Sequence, residues 1–220
     1  MQTSAAPRRP FAFATRIGLF IALFALIIVR QIVTAFLSPA TVTGAVWREC
    51  LMWASAGALI IIIRRGERLS LSSIGLGTSR WWKSIFWGVL LFLPCLLVGG
   101  ALVALTHYGH SESATALDKL PLCLVTLIVI RAGVLEELFY RGYAIERLNA
   151  LGLSRFWSAT IPLVIFSIGH WTGGWANILI AFALGAILAA FYLWRRDLVA
   201  NMIGHGLVDF VGNVLPRLFS

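Results

Sequence analysis

The chain has 220 residues, 60% of them hydrophobic and 12% charged, with a mean hydropathy of +0.89. That composition excludes an ordinary soluble domain and indicates one integral membrane domain over 1–220, all-α and polytopic. The net charge of +9 sits in basic clusters between apolar runs, where it sets orientation, so it excludes a nucleic-acid reading.

In chain order, Arg8, Arg9 and Arg16 precede an apolar run from Ile17 to Val29. This resembles a signal peptide, but no small-x-small cleavage site follows and the apolar character continues to Leu37. The segment reads as an uncleaved first transmembrane helix. Arg30 and Gln31 inside it face the bundle interior or mark an early helix end. Ala45 to Ile63 is a second span, with Arg48 and Glu49 near its start and Arg64, Arg65, Glu67 and Arg68 after it. Leu69 to Lys83 is too polar to span. Its Leu71–Leu76 portion and Trp81-Trp82 suit a segment lying in the membrane interface.

Ser84 to Thr106 is a third span, with Pro94 and Gly99-Gly100 as kink points. His107 to Lys119 is a polar loop. His107 and His110, with no partner ligand nearby, read as surface residues. Leu120 to about Asn149 forms a long fourth helix, and Leu151-Gly152-Leu153 a break. Ser154 caps a fifth helix to about Trp171, and Thr172-Gly173-Gly174 is a tight connection. Trp175 to Trp194 is a sixth span and Leu198 to Leu215 a seventh. About seven transmembrane helices plus an interfacial segment result. Basic residues cluster on alternate connections, which puts the N-terminus in the cytoplasm. The three cysteines, Cys50, Cys95 and Cys123, read as packing residues rather than a disulfide framework.

Three polar clusters interrupt the apolar helices. Glu136 and Glu137 lie in the fourth with Arg141, His170 in the fifth, and His205 with Asp209 in the seventh. An ionisable residue at bilayer depth costs a few kcal/mol, so each is a functional-site candidate. At 1.5 Å per residue, Glu136 and His170 lie about 20–24 Å from the same face, and His205 only about 10 Å. Glu137 and Arg141 are i, i+4 neighbours suited to an ion pair, whereas Glu136 is rotated about 100° away and left free for chemistry. His205 and Asp209 also share one face, so Asp209 orients the imidazole or both bind one atom. Gly204 and Gly206 allow close approach of another helix.

No GxSxG, HExxH or GxGD pattern supplies another nucleophile or metal motif. A carboxylate in an apolar setting can act as general base on water, and a histidine can share that proton. Hydrolysis by an activated water follows, with or without metal. His170, His205 and Asp209 make a candidate two-histidine, one-carboxylate site for Zn2+.

The set Glu136-Glu137-x-x-x-Arg141, Phe166-x-x-x-His170 and His205-x-x-x-Asp209 resembles the three motifs of the CPBP family. That family holds the type II CAAX prenyl proteases and the bacteriocin-processing, self-immunity or abortive-infection proteins. The resemblance covers a motif core of about 120–215. It implies a membrane-embedded endopeptidase, with or without a metal, in which Glu136 and His170 activate water. It further implies that His205 and Asp209 stabilise the oxyanion and that Arg141 supports the carboxylates. Many members carry Asn where this chain has Asp209, and an ionised Asp cannot donate a hydrogen bond. Here Asp209 is protonated, or orients His205, or ligates a metal. The expected partners are a peptide or membrane-protein substrate and the lipid bilayer of a bacterial membrane, with bacteriocin processing or self-immunity as the biological setting. A non-catalytic membrane adaptor or immunity protein is the alternative. The absence of an internal repeat speaks against a transporter.

Overall fold

The apolar runs fold as helices close to their expected bounds. In the computed structural model, which describes residues 13–77, 81–108 and 117–219, seven main helices follow one another and no strand forms among the described residues. Helix α1 is Phe13–Phe36, α2 Val42–Ile61 with a π-helical turn Ile62–Gly66, and α3 Trp81–Thr106. Helix α4 starts as Leu122–Arg131, widens into a π-helix over Ala132–Ile145 and ends as Glu146–Ala150. Helices α5 (Arg155–Ile168), α6 (Gly174–Arg195) and α7 (Leu198–Asn213) complete the bundle. Arg8, Arg9, Arg80, His110 and Glu112 lie outside the described residues.

Among the described residues, four segments are long and apolar enough to cross a membrane: Phe13–Phe36, Val42–Gly66, Trp81–Thr106 and Trp171–Arg195. Helices α5 and α7, at 14 and 16 residues, are shorter than the ~20 residues of a full crossing. The three helices outside that set are those that carry the polar motifs. Their polar groups turn inward: every residue from Leu135 to Ile145 is buried. Helix α4 is the central helix, touching α1, α2, α5, α6 and α7. The outer helices expose large apolar side chains such as Phe20, Ile32, Leu97 and Leu105, the surface a bilayer covers.

Without a hydrophobic drive between helices in lipid, close packing at small residues holds such a bundle together. A Cβ on Gly133 of α4 would stand 2.9 Å from the Gly206 Cα of α7. One on Gly204 would stand 3.1 Å from Leu91 of α3. The expected close approach at Gly204 and Gly206 is therefore present, from two sides of α7. Capping fixes the helix starts. Ser154 Oγ accepts from Trp157 N, Thr41 Oγ1 from Gly44 N and Asp197 Oδ1 from Ala200 N. Gly152, at φ 97, makes the expected break.

The Leu71–Leu76 segment, expected in the membrane interface, packs its centre onto the end of the bundle. Leu71–Ile74 is a 3-10 turn whose Ile74 is buried in the main core, and Leu198 N at the start of α7 donates to Gly75 O. Gly142 opens the slot, since a Cβ there would meet Ile74 O at 3.1 Å. Trp81 and Trp82 remain exposed, as expected of interfacial tryptophans. Cys95 is buried, whereas Cys50 and Cys123 are exposed, and all three are free thiols.

Candidate active site

The π-helical winding of α4 decides which side chains meet. In an α-helix, residues five apart point about 140° away from each other. In a π-helix the backbone bonds run i→i+5, and such residues fall on one side. Arg131 Nη1 accordingly donates to Glu136 Oε1 at 2.8 Å. The Nε of Arg131 donates to Glu49 Oε2 of α2 at 3.1 Å, so one arginine joins two carboxylates. The expectation that Glu136 is left free is thus corrected, because α-helical spacing hid its partner. Its second oxygen stays available, 4.0 Å from His205 Nε2.

Glu137 forms the expected pair with Arg141, whose Nη1 donates to Oε1 at 2.9 Å. Arg141 also donates to Gly185 O at 3.2 Å and lies over the Phe166 ring at 4.5 Å. Glu137 Oε2 accepts from Asn201 Nδ2 at 3.0 Å, and Oε1 lies 2.8 Å from His205 Nδ1. A carboxylate whose partners are arginine and amide donors accepts, so Nδ1 carries the proton and Nε2 faces Glu136 and Asp209. Glu137, rather than Asp209, orients the imidazole: Asp209 Oδ2 stands 3.5 Å from Nε2, beyond a good hydrogen bond. His205, expected to lie shallow, sits against the acid pair because α7 crosses the middle of α4 at Gly133 and Gly206.

His170 ends the turn after α5. Its Nδ1 lies 2.8 Å from Phe166 O, a carbonyl that only accepts, so Nδ1 is the protonated nitrogen and Nε2 the free base. Its ring packs edge-on against Phe166, which also meets the rings of Tyr140 and His205. Asn177 Nδ2 donates to His170 O at 3.1 Å and fixes the turn. Arg30 does not end α1. It faces the interior, and its Nη1 donates to Gly169 O at 3.0 Å.

These groups surround two spaces that share Arg30, Glu136, Phe166 and His170 in their linings. A niche of about 10 Å³ is bounded by Arg30, Glu136, Tyr140, Gly169 and His170, room for about one water. A cavity of about 520 Å³ is lined by Arg30, Arg131, Glu136, His170, His205 and Asp209 together with apolar side chains of α3, α4, α6 and α7. Glu137 and Arg141 lie behind the wall. Among the described residues no group of three or more His, Cys, Asp or Glu is placed to hold a metal ion. His170, His205 and Asp209 share the cavity without forming such a set. Both Nδ1 atoms are committed, so each histidine has only Nε2 open to the cavity, and arginines pair with Glu136 and Glu137.

Sequence reasoning missed Arg131 and the linking role of Glu49, and left Arg30 ambiguous. The signal was available, since each is an ionisable residue within an apolar segment and calls for a partner. Asn201 was visible only as a polar residue of α7.

No curated protein and no solved structure matches the chain. A family model does: residues 118–211 match the one described as type II CAAX prenyl endopeptidase Rce1-like. The matched stretch holds Glu136, Glu137, Arg141, His170, His205 and Asp209 and stops short of Arg30 and Glu49. Over residues 118–211 the chain is therefore similar to the type II CAAX prenyl endopeptidases of the Rce1-like kind, the resemblance carried by its three motifs.

Proposed function

We propose that the protein is an intramembrane endopeptidase that hydrolyses a peptide bond of a membrane-associated peptide or protein. The observation that carries this reading is the one-water niche between Glu136 and His170, next to a cavity of about 520 Å³ that shares both residues. Glu136 Oε2 takes a proton from the niche water, with His170 Nε2 as the second acceptor that holds and shares it. The hydroxide oxygen bonds to the scissile carbonyl carbon, and the carbonyl electron pair moves onto its oxygen. When the tetrahedral adduct collapses, the C–N bond breaks and Glu136 returns the proton to the leaving amine. The products are one new carboxyl and one new amino terminus.

Glu137 and Arg141 are positioning residues in this reading. Glu137 holds the His205 ring so that Nε2, when protonated, donates to the oxyanion. Asp209 lies beside the same nitrogen and supports its charge. In this reading Glu136 and His170 activate the water directly, and no metal ion is invoked. The substrate is a peptide, a leader segment or a membrane-protein terminus in a bacterial membrane. No feature of the cavity calls for a prenyl group.

The test compares protein termini by mass spectrometry in cells carrying wild type or Glu136→Gln at matched expression. Termini that appear only with wild type establish proteolysis and name the substrate. Removing the general base lowers their rate of appearance about 100-fold or more. Identical termini, with the cellular phenotype retained by the variant, would instead identify a non-catalytic adaptor or immunity protein.

A further inference from the structure

We infer that Arg30 is a further catalytic residue, donating hydrogen bonds to the oxyanion formed as water adds to the scissile carbonyl; the inference rests on the proteolytic reading above. The need for a donor arises at Asp209. A carboxyl group offers at most one donor, and none when ionised, so Asp209 supplies less than an amide would. Among the other motif residues that line the cavity, His205 Nε2 is a donor only when protonated, with Asp209 Oδ2 3.5 Å and Glu136 Oε2 4.0 Å from it.

Arg30 has donors to give. A guanidinium carries five N–H groups, and Arg30 spends one on Gly169 O. Two buried arginines nearby are committed: Arg131 to Glu49 and Glu136, Arg141 to Glu137 and Gly185 O. Arg30 makes no ion pair among the described residues, although it lies in an apolar helix where an arginine is costly. Its placement explains that cost. Arg30, Glu136, Phe166 and His170 line both the niche and the cavity, whereas Tyr140 lines the niche alone. An oxyanion forms where attacking water and bound peptide meet, at the junction of the two spaces. The Gly169 bond holds the guanidinium there before any substrate arrives, which is the preorganisation that makes such a donor effective.

The step needs no proton from Arg30. The guanidinium donates hydrogen bonds while the carbonyl electron pair rests on oxygen, and the bonds loosen when that pair re-forms the carbonyl and expels the amine. Arg30 precedes the stretch that matches the family model, so it is a property of this chain's α1.

The experiment uses the full chain in lipid nanodiscs and the substrate that the wild-type against Glu136→Gln comparison names. Arg30→Ala is expected to lower kcat about 100-fold with KM within threefold, the signature of an interaction made in the transition state. Millimolar guanidinium added to Arg30→Ala restores part of the rate, because the cavity admits the ion, and urea at the same concentration does not. Arg30→Lys, which keeps charge and a donor, falls between. A kcat within threefold of wild type in a folded Arg30→Ala protein overturns the assignment and leaves the protease reading standing. A raised KM at unchanged kcat overturns it in favour of ground-state substrate binding. If wild type and Glu136→Gln yield the same termini, the protease reading fails and this assignment fails with it.

Discussion

Glu136 and Glu137 are adjacent in sequence and differ in surroundings. Glu137 is fully enclosed and holds Arg141, Asn201 and His205. Glu136 shares Arg131 with Glu49 and turns its second oxygen to the cavity. The two should therefore respond differently to the same change. Glu137→Gln leaves the buried Arg141 without a counter-charge and releases His205. We expect it to cost about 3 kcal/mol of stability, read as an earlier loss of monodisperse protein on heating in detergent. Glu136→Gln leaves Arg131 paired with Glu49, so it should lose cleavage while shifting that midpoint far less. Asp209→Asn is the informative change on the other side of His205. It supplies an amide donor in place of an acceptor, and the rate of substrate cleavage should equal or exceed wild type. A tenfold loss would show that the carboxylate itself is needed. The acid pair, the two histidines and the Glu137–Arg141 pair were legible in the sequence, because ionisable groups in apolar runs stand out and i, i+4 spacing is readable. Partners such as Arg131 were not, since spacing rules assume α-helical winding.

At the scale of elements, α4 and its contact with α7 carry the site. The π-helical stretch brings Arg131 onto the side of Glu136, and the Gly133–Gly206 contact brings His205 to Glu137. Depth along a straight helix could not foresee the second meeting, because it depends on where two backbones cross. The glycines at Gly204 and Gly206 did announce a close approach. Helix bounds were readable because hydropathy, the Ser154 cap and the Gly152 break agree with one another. The burial of Ile74 within the Leu71–Leu76 turn was not, because it depends on the slot left by Gly142, far away in sequence. Gly133→Ala tests the crossing. Its Cβ would lie 2.9 Å from Gly206 Cα and 3.1 Å from Met202 O, backbone atoms that cannot swing aside. The change should cost about 1–3 kcal/mol and reduce cleavage by moving His205. Gly100→Ala is the control, with nothing within 4 Å of its Cβ, and should be neutral or slightly stabilising in the same thermal assay.

Over the whole molecule, charge and contact agree on which end of the bundle is which. The connection after α2 carries Arg64, Arg65 and Arg68, the turn between α4 and α5 lies beside Arg147 and Arg155, and that between α6 and α7 holds Arg195 and Arg196. These three connections meet. Arg147 binds Glu67 and Ser73, Arg196 binds Glu146, and Arg155 donates to Leu193 O. The opposite end is built from Ser38–Thr41, the residues before Pro121 and the Gly169–Gly173 turn, where basic side chains are sparse. Positive charge favours the cytoplasm, so the first end should face inward and the Ser38 end outward. The site lies toward the Ser38 end, where Arg30 Nη1 donates to Gly169 O. Labelling of single cysteines in a background lacking Cys50, Cys95 and Cys123 settles the orientation. Ser38→Cys should react with a membrane-impermeant maleimide on intact cells. Ala150→Cys, at the basic end, should react only after lysis. The reverse pattern would invert the molecule and place the Gly169 end of the cavity on the cytoplasmic side.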